Sequence, residues 1–485
     1  MRILGLDTGS THVDAVVLED GEVEDRVKVP RDGKLLEPIR RALRTLDADE
    51  RRVSTTLPIN ALTRGRTDPV HLVLIPGPGL DPDPLLDLAD RTDVLPGYVD
   101  HRGEVVEEPD PDAVEPPERG YALAVVAKYS HRNADLERKI IEAHRNAYVE
   151  TIPGYHLPYG NFPRRVATAV LGARVKRITR RFLEALGRVD GVLRGDGGLQ
   201  TPEEALRVPV NVLHSGPAAG VLGAAYLTGL DDFLLADVGG ATIDITKARD
   251  GRPAIEEGAE LFGYLTAVRA ANVRSLPYGG NVVLTGERIT DDTATPACYG
   301  GSEPTLTDAL VVAGYHDPEP DGDPCKSRRV LRELGDPHEV AEDTLETLRR
   351  ELLRRFETYD GPVLWAGALA PALRELTGVG EVVPYHDVCN AVGCAVARRA
   401  REAVVYVHTE RGYGHVAPAG EKFEVDRGRV YSREELAELA TEAAGFEPDE
   451  IRVRAFEIVR GGVRVGQWAE VYLYRTPGVE PPSPG

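Results

Sequence analysis

The sequence predicts an α/β chain of two related lobes facing a central cleft, with a small α+β appendage at the C-terminal end. Three observations carry this. Two strand–turn–strand units resemble each other: Leu6-Asp7-Thr8-Gly9-Ser10-Thr11-His12-Val13-Asp14 and Ala236-Asp237-Val238-Gly239-Gly240-Ala241-Thr242-Ile243-Asp244. Asp7 and Asp237 stand 230 residues apart, the spacing of a lobe rather than of a small stacked repeat. Apolar strand runs also alternate with helical patterns along 485 residues. That length holds about three units at roughly 150 residues each.

The elements follow in order. Arg2–Thr11 reads as a buried strand entering a polar turn, and Val13–Leu18 as the strand returning from it. A strand that returns as a strand excludes the phosphate loops that lead into a helix. Residues 37–46 read as a helix, and 81–118, rich in Asp, Glu and Pro, as an irregular excursion. A strand over 121–127, a charged helix over 133–147 and a long helix over 164–187 follow, with basic residues 174–181 as a solvated face. The Gly-rich stretch 187–201 marks a boundary, placed so that the first lobe covers 1–190 and the second 191–402. In the second lobe, Ser215–Ala225 is a small-residue helix suited to close packing. The second hairpin spans 233–247. A helix over 339–359, a strand over 362–365 and a helix over 388–403 complete it. The appendage, 403–485, reads as strands around one helix at 433–444, with a frayed Pro/Gly-rich end over 477–485.

Composition removes several classes of function. The net charge of 58 − 79 = −21 opposes nucleic acid and anionic membrane surfaces as partners. No apolar run reaches the roughly 20 residues of a membrane span. The first residues turn acidic and Gly-rich too early for a signal peptide. Cys298, Cys325, Cys389 and Cys394 form no CxxC pair, so free thiols in the cytoplasm are expected rather than a zinc site. Fifty Arg against eight Lys, with two Gln and one Met, suit a thermophile or a GC-rich genome.

The hairpins carry the chemistry. Glycines at Gly9, Gly239 and Gly240 let backbone N–H groups approach a phosphate, and Thr8, Ser10, Thr11 and Thr242 add hydroxyl donors. Asp7 and Asp237 at the strand ends suit Mg²⁺, directly or through its waters, and Asp14 or Asp244 could orient water or metal. Two opposed turns of this kind would clamp the β- and γ-phosphates of a nucleotide. His12, inside the first turn, suits either a phosphate contact or a tolerant surface position. Cys298 has no legible His–Asp partner and reads as packing.

Val363-Leu-Trp-Ala-Gly367-Ala368-Leu-Ala-Pro371 adds a strand, a Gly turn and a helix start, suited to lie against adenine or ribose. This order of motifs resembles the actin-like ATPase fold of actin, sugar kinases and large heat-shock chaperones. Asn390-Ala-Val-Gly393-Cys-Ala395 resembles its closing helix at the hinge. Further segments resemble the hydantoinase/oxoprolinase family, hydantoinase A type. They are Ser54-Thr55-Thr56-Leu-Pro-Ile-Asn60-Ala-Leu62, Ser130-His-Arg-Asn-Ala-Asp-Leu-Glu137, Ser215-Gly-Pro-Ala-Ala-Gly220 and Ala297-Cys-Tyr-Gly-Gly-Ser-Glu-Pro-Thr-Leu-Thr-Asp-Ala309. They occur in family order, although Ser10 replaces a Gly and Gly279-Gly-Asn-Val282 replaces Gly-Gly-Gly-Ser.

The resemblance implies two actin-like ATPase lobes around a nucleotide cleft. It also implies an ATP- and Mg²⁺-dependent hydrolase of cyclic amides of the hydantoin or 5-oxoproline type. ATP would lie against residues 8–11, Gly239, Gly240, Thr242, Gly367, Ala368 and Asn390. The substrate would lie against Thr55, Thr56 and Asn60, unless these cap the next helix. A larger hydantoinase B type subunit is the implied partner. An ATP-dependent ligase or carboxylase component, or a non-catalytic ATP-driven switch, remains open on the same fold.

Overall fold

A computed structural model describes every residue except 32–35, 118–119, 158–159, 286–287, 419 and 481–485. Its first sheet begins with the expected hairpin, Arg2–Thr8 and His12–Glu19, extended by the antiparallel edge strand Glu22–Pro30. On the other side of Arg2–Thr8 lie Glu50–Thr55 and Gly191–Leu193, both parallel, and then the short antiparallel Leu199–Gln200. This sheet therefore runs to Gln200, ten residues past the boundary expected at 190.

The second lobe repeats the plan. Leu234–Val238 and Ile243–Arg249 form its hairpin, Val273–Leu276 pairs antiparallel outside it, and Val363–Gly367 and Glu381–Val382 follow in parallel. The repeat thus extends from the hairpin to the whole strand order. Each sheet buries an apolar face: Leu4, Leu6, Val13 and Val53 in one, Ala236, Ile243, Ile245 and Trp365 in the other.

Between Glu50–Thr55 and Gly191–Leu193 the first lobe inserts a parallel sheet from Val70–Ile75, Arg91–Val94, Ala122–Ala127 and Thr151–Pro153. The long helix Phe162–Leu186 spans both layers, burying Phe162 and Val166 on this sheet and Phe182 and Leu183 on the first. Its basic face is only partly solvated, because most of its charges are paired. Arg174 pairs with Asp90, Arg177 with Asp68, and Lys176 and Arg180 with Glu150. Of the expected excursion over 81–118, the described residues 81–117 are largely irregular, apart from an edge strand, a two-stranded ribbon and two short 3₁₀ turns.

Two helices form the axis between the lobes. Ser215–Thr228 crosses Cys389–Val396 so closely that a Cβ added at Gly223 would enter the Cys389 carbonyl, and one at Gly393 the Ala219 carbonyl. On its other side Cys389–Val396 touches the first sheet, where a Cβ at Gly5 would strike Ala391. The hinge helix is shorter than expected: it stops at Val396, and Arg401–His408 is already a strand. That strand centres a five-stranded antiparallel sheet with Tyr413–Ala417, Glu421–Glu424, Glu450–Arg460 and Val463–Arg475, covered by helix Arg433–Ala444. The segment after it is pinned rather than frayed through residue 480: Arg398 N–H donates to Gly478, Glu480 N–H to Val396, and Glu480 pairs with buried Arg52. Residues 481–485 lie outside the described part.

Candidate functional site between the two hairpins

Strand register places the candidate residues. Directly opposed residues point to the same face of a sheet, and the pairs Lys28↔Asp14, Asp14↔Asp7 and Asp7↔Ser54 run straight across the first sheet. The second sheet carries the matching row Ser275↔Asp244, Asp244↔Asp237 and Asp237↔Ala366. The turns match as well: Gly9 N–H donates to His12 O at 3.0 Å, and Gly239 N–H to Thr242 O at 2.9 Å. They meet at their tips, since a Cβ built on Gly240 would lie 2.5 Å from Thr11 Cγ2. A side chain at Gly240 therefore strikes Thr11 first, rather than entering open space meant for a phosphate.

Asn390, in the first turn of the hinge helix, joins the two rows. Its Nδ2 donates to Asp237 Oδ2 at 2.9 Å, and its amide also steadies the Asp7 carboxylate. Ser54 donates to Asp7, Ser275 to Asp244 at 2.6 Å, and Lys28 to Asp14 at 2.7 Å. Lys28 is the cation that offsets charge at Asp7, Asp14 and Asp237.

Burial outweighs these partners. Desolvation pushes Asp237 up to about 7, with Asp244 and Asp7 adding repulsion and Asn390 opposing it. It pushes Asp14 up to about 6 against the pull of Lys28, and raises Asp7 and Asp244 as well. Burial and then Lys28 lower His12 to about 4, so its ring is neutral at pH 7 and brings no positive charge to the turn. The Thr8 hydroxyl and Asn390 Oδ1 are buried with no partner among the described residues.

A cavity of about 560 Å³ opens beside this centre, lined by Arg26 and Lys28 from the first lobe and by Ala368, Tyr385, His386 and Asp387 from the second. Arg26 closes one side with a 2.7 Å ion pair to Asp387, and Lys28 donates to the Asp387 carbonyl. Ala368 thus faces an inter-lobe cavity. Gly367 backs onto the neighbouring strand, where a Cβ would enter the Val238 carbonyl, and its own carbonyl accepts from His386 Nδ1 at 2.8 Å. Sequence reasoning missed Lys28 and residues 385–387. Lys28 sits on an edge strand with no motif, and 385–387 lie in a loop of ordinary composition.

The expected substrate residues are engaged with one another. Thr56 Oγ1 donates to Thr8 O and accepts from Asn60 Nδ2, each at 3.1 Å. Thr55 Oγ1 accepts from Leu57 N–H, and Thr55 N–H donates to Ser215 Oγ at 3.3 Å. They tie the end of Glu50–Thr55 to the first hairpin and to the start of the Ser215–Thr228 helix.

Other family-like segments brace the site. Gly279, Gly280 and Asn281 N–H groups donate to the carbonyls of Ala241, Gly239 and Gly240, which fixes the second turn from behind. Thr307 in turn donates through N–H and Oγ1 to Gly280 O. Its neighbour Asp308, fully buried, accepts from Ala297 N–H, Cys298 N–H, Thr305 and Ser327. The stretch 297–309 is therefore a knot that supports the hairpin. Burial beside Asp308 pushes the Cys298 thiol up to about 12, which leaves it inert. Iodoacetamide at pH 8 should label the native chain at exposed Cys325 alone, because Cys298, Cys389 and Cys394 are buried; stoichiometric alkylation of Cys298 would contradict this packing. In the same way Ser130–Glu137 closes on Arg165: Glu137 accepts from Ala127 and Tyr155 N–H groups, while Arg165 reaches Ser130 and lies 3.5 Å from Glu137.

Known proteins share this framework. Caprolactamase subunit alpha of Pseudomonas jessenii is 27% identical over 227 residues, covering 40% of this chain and 32% of that one. The acetophenone carboxylase gamma subunit of Aromatoleum aromaticum is 24% identical over 367 residues, 63% of this chain and 49% of that one. The matched regions span only about a third and a half of those relatives. Acetone carboxylase in its nucleotide-free form superposes with a TM-score of 0.68 at 16% identity, over 100% of this chain and 89% of that one. ATP-dependent caprolactamase from Pseudomonas jessenii gives 0.63 at 18%, over 99% and 88%. At such identities the superpositions speak for the fold. Residues 3–148 match the hydantoinase/oxoprolinase N-terminal region and residues 165–403 the hydantoinase/oxoprolinase region that follows it. With both regions matched in order around the two hairpins, the chain belongs to the hydantoinase/oxoprolinase family.

Proposed function

We propose that the chain binds ATP between its lobes and uses phosphoryl transfer to activate the carbonyl of a cyclic amide for hydrolysis. The observation that carries this is the double row of aspartates, two from each hairpin, gathered around Asn390 with Lys28 as their counter-charge. Carboxylates whose pKa is raised by desolvation would gain from a divalent cation, and Asp7 and Asp237 would hold Mg²⁺ directly or through its waters. Bound there, Mg²⁺ would neutralise charge on the phosphoryl oxygens. The turns at residues 8–11 and 239–242 offer N–H and hydroxyl donors to phosphates, and Ala368, Tyr385 and His386 offer a surface for the nucleoside.

Resonance makes an amide carbonyl a poor electrophile. Moving the γ-phosphoryl group to its oxygen breaks the bond to ADP and leaves an imidate-like phosphate ester. Water then attacks the carbon, and loss of phosphate with C–N cleavage gives the ring-opened amino acid. Asp14 or Asp244 would orient that water, and Thr55, Thr56 and Asn60 would face the substrate after exchanging their present mutual bonds.

A carboxylase-component reading is favoured by a separate observation, the likeness to acetophenone and acetone carboxylases. There the activated oxygen compound would meet a different acceptor. Phosphate release should be assayed with ATP and Mg²⁺ against lactams, hydantoins and 5-oxoproline, and against ketones with bicarbonate. Release that depends on a cyclic amide supports hydrolysis, and release that depends only on ketone and bicarbonate replaces it. ATP turnover indifferent to every compound would favour a conformational switch.

The caprolactamase and acetophenone carboxylase relatives carry subunit names, which supports a partner of the hydantoinase B type. The isolated chain should bind ATP but turn over cyclic amides slowly. A partner encoded nearby should raise the rate tenfold or more, about 1.4 kcal/mol on the barrier. Full activity of the purified single chain would refute the need for a partner.

A further inference from the structure

The last two strands form a hairpin, Glu450–Arg460 and Val463–Arg475, turned at Gly461-Gly462. Glu450–Arg460 is the outer strand of its sheet, and among the described residues nothing pairs with its free edge. It is 11 residues long and bears exposed apolar side chains: Phe456 is 62% exposed and Val459 56%, with Ile451 also open. An unpaired edge of this length is a template for another strand.

The order of its side chains selects the occupant. We propose that this edge pairs antiparallel with the same strand of a second copy, about a two-fold axis at Ala455. A two-fold perpendicular to the sheet keeps each residue on its own face, so residues that meet must differ by an even number. With Ala455 opposite itself, Glu450 meets Arg460, Ile451 meets Val459, Arg454 meets Phe456, and Arg452 meets Ile458. The one direct pairing of charged residues, Glu450 with Arg460, is then opposite in sign, Val453 meets Glu457, and Arg454 lies against an aromatic ring.

Shifting either way spoils the match. Centring on Phe456 sets Arg452 against Arg460 twice, and centring on Arg454 sets that arginine against itself. Glu450 now pairs with exposed Arg452, which costs little to share, whereas Arg460 pairs with half-buried Glu410 and would keep that contact while it meets the second copy. Three Arg against two Glu on this strand also limit repulsion between copies of a chain with net charge −21.

The test uses the full chain in a Cys325→Ser background, which removes the exposed native thiol. Opposed Cβ atoms lie about 4.5–5.5 Å apart, close to disulfide reach. Under mild oxidation Ala455→Cys should form covalent dimers, whereas Arg454→Cys and Phe456→Cys should not. Light scattering at up to about 100 µM should show a dimer. Arg460→Glu should weaken it at least tenfold, and Glu450→Arg combined with Arg460→Glu should restore it. A monomer at every concentration would overturn the proposal, as would cross-linking centred on 454 or 456, or a charge reversal without effect. Protection of this edge only when a different subunit is added would also overturn it.

Discussion

Asp237→Asn should reduce ATP-dependent phosphate release by a thousandfold or more while leaving the protein folded. Asp237 is half-buried near the end of its strand, held by Asn390 and facing Asp7 across the lobes. An amide keeps its shape but loses the charge that would bind a metal and the phosphates it carries. Unchanged turnover, measured as phosphate release with the responsive substrate, would refute the role given to it.

The same substitution should alter stability in a defined direction. The folded pKa of Asp237, about 7, lies above the usual carboxylate value of 3.8. The folded state therefore holds a proton that the unfolded state has already released. The stability this contributes is complete below about pH 4 and is lost as pH rises through about 7, and Asp14 adds a similar loss through about 6. Without divalent cations, the thermal midpoint of the wild type should fall between pH 5 and pH 8. Asp237→Asn should fall less, and Mg²⁺ should recover part of the loss at pH 8. A midpoint that climbs across this range, equally in both proteins, would contradict the burial of these carboxylates.

Gly393→Ala should be among the most disruptive single-methyl changes in the chain. The added Cβ enters the Ala219 carbonyl, and both atoms belong to helix backbones that are packed on their other sides. No rotamer relieves that contact, so the helices must part. Overpacking in such a place costs about 1–3 kcal/mol, or more when backbone must move. The hinge helix carries Asn390, so separation also detaches Asp237 from its partner. We expect a fall in denaturant midpoint together with a loss of nucleotide binding. Gly378→Ala, where a Cβ meets nothing within 4 Å, is a control for helix-end strain. Equal behaviour of the two variants would show that the crossing is not tight.

Much of this was legible beforehand. Both hairpins, the helix at 433–444 and the α+β appendage follow from apolar periodicity and Gly/Asp turns, which act over a few residues. The repeated Asp-x-Gly pattern was also enough to predict paired lobes. Signals of longer range were misread. The basic face at 174–181 was expected in water because its partners, Asp68, Asp90 and Glu150, lie far away in sequence. The two short strands within 191–200, which join the first sheet, were not read, because Gly-rich composition marks a loop as readily as short strands. The end over 477–485 was expected to fray, since nothing local announces the hold that Val396 and Arg52 have on Glu480.

The sequence by itself determined the family, the strand order implied by two matched hairpins, and the four aspartates that line them. Only the tertiary structure decided that these aspartates form one centre, that Asn390 and Lys28 join it, and that the stretches 279–281 and 297–309 brace a turn. The physical reason is that charge state and support depend on burial and on neighbours brought across hundreds of residues. An aspartate in a strand is an ordinary carboxylate in sequence. It becomes a group poised near neutrality only when a second sheet excludes water from it and sets another carboxylate beside it.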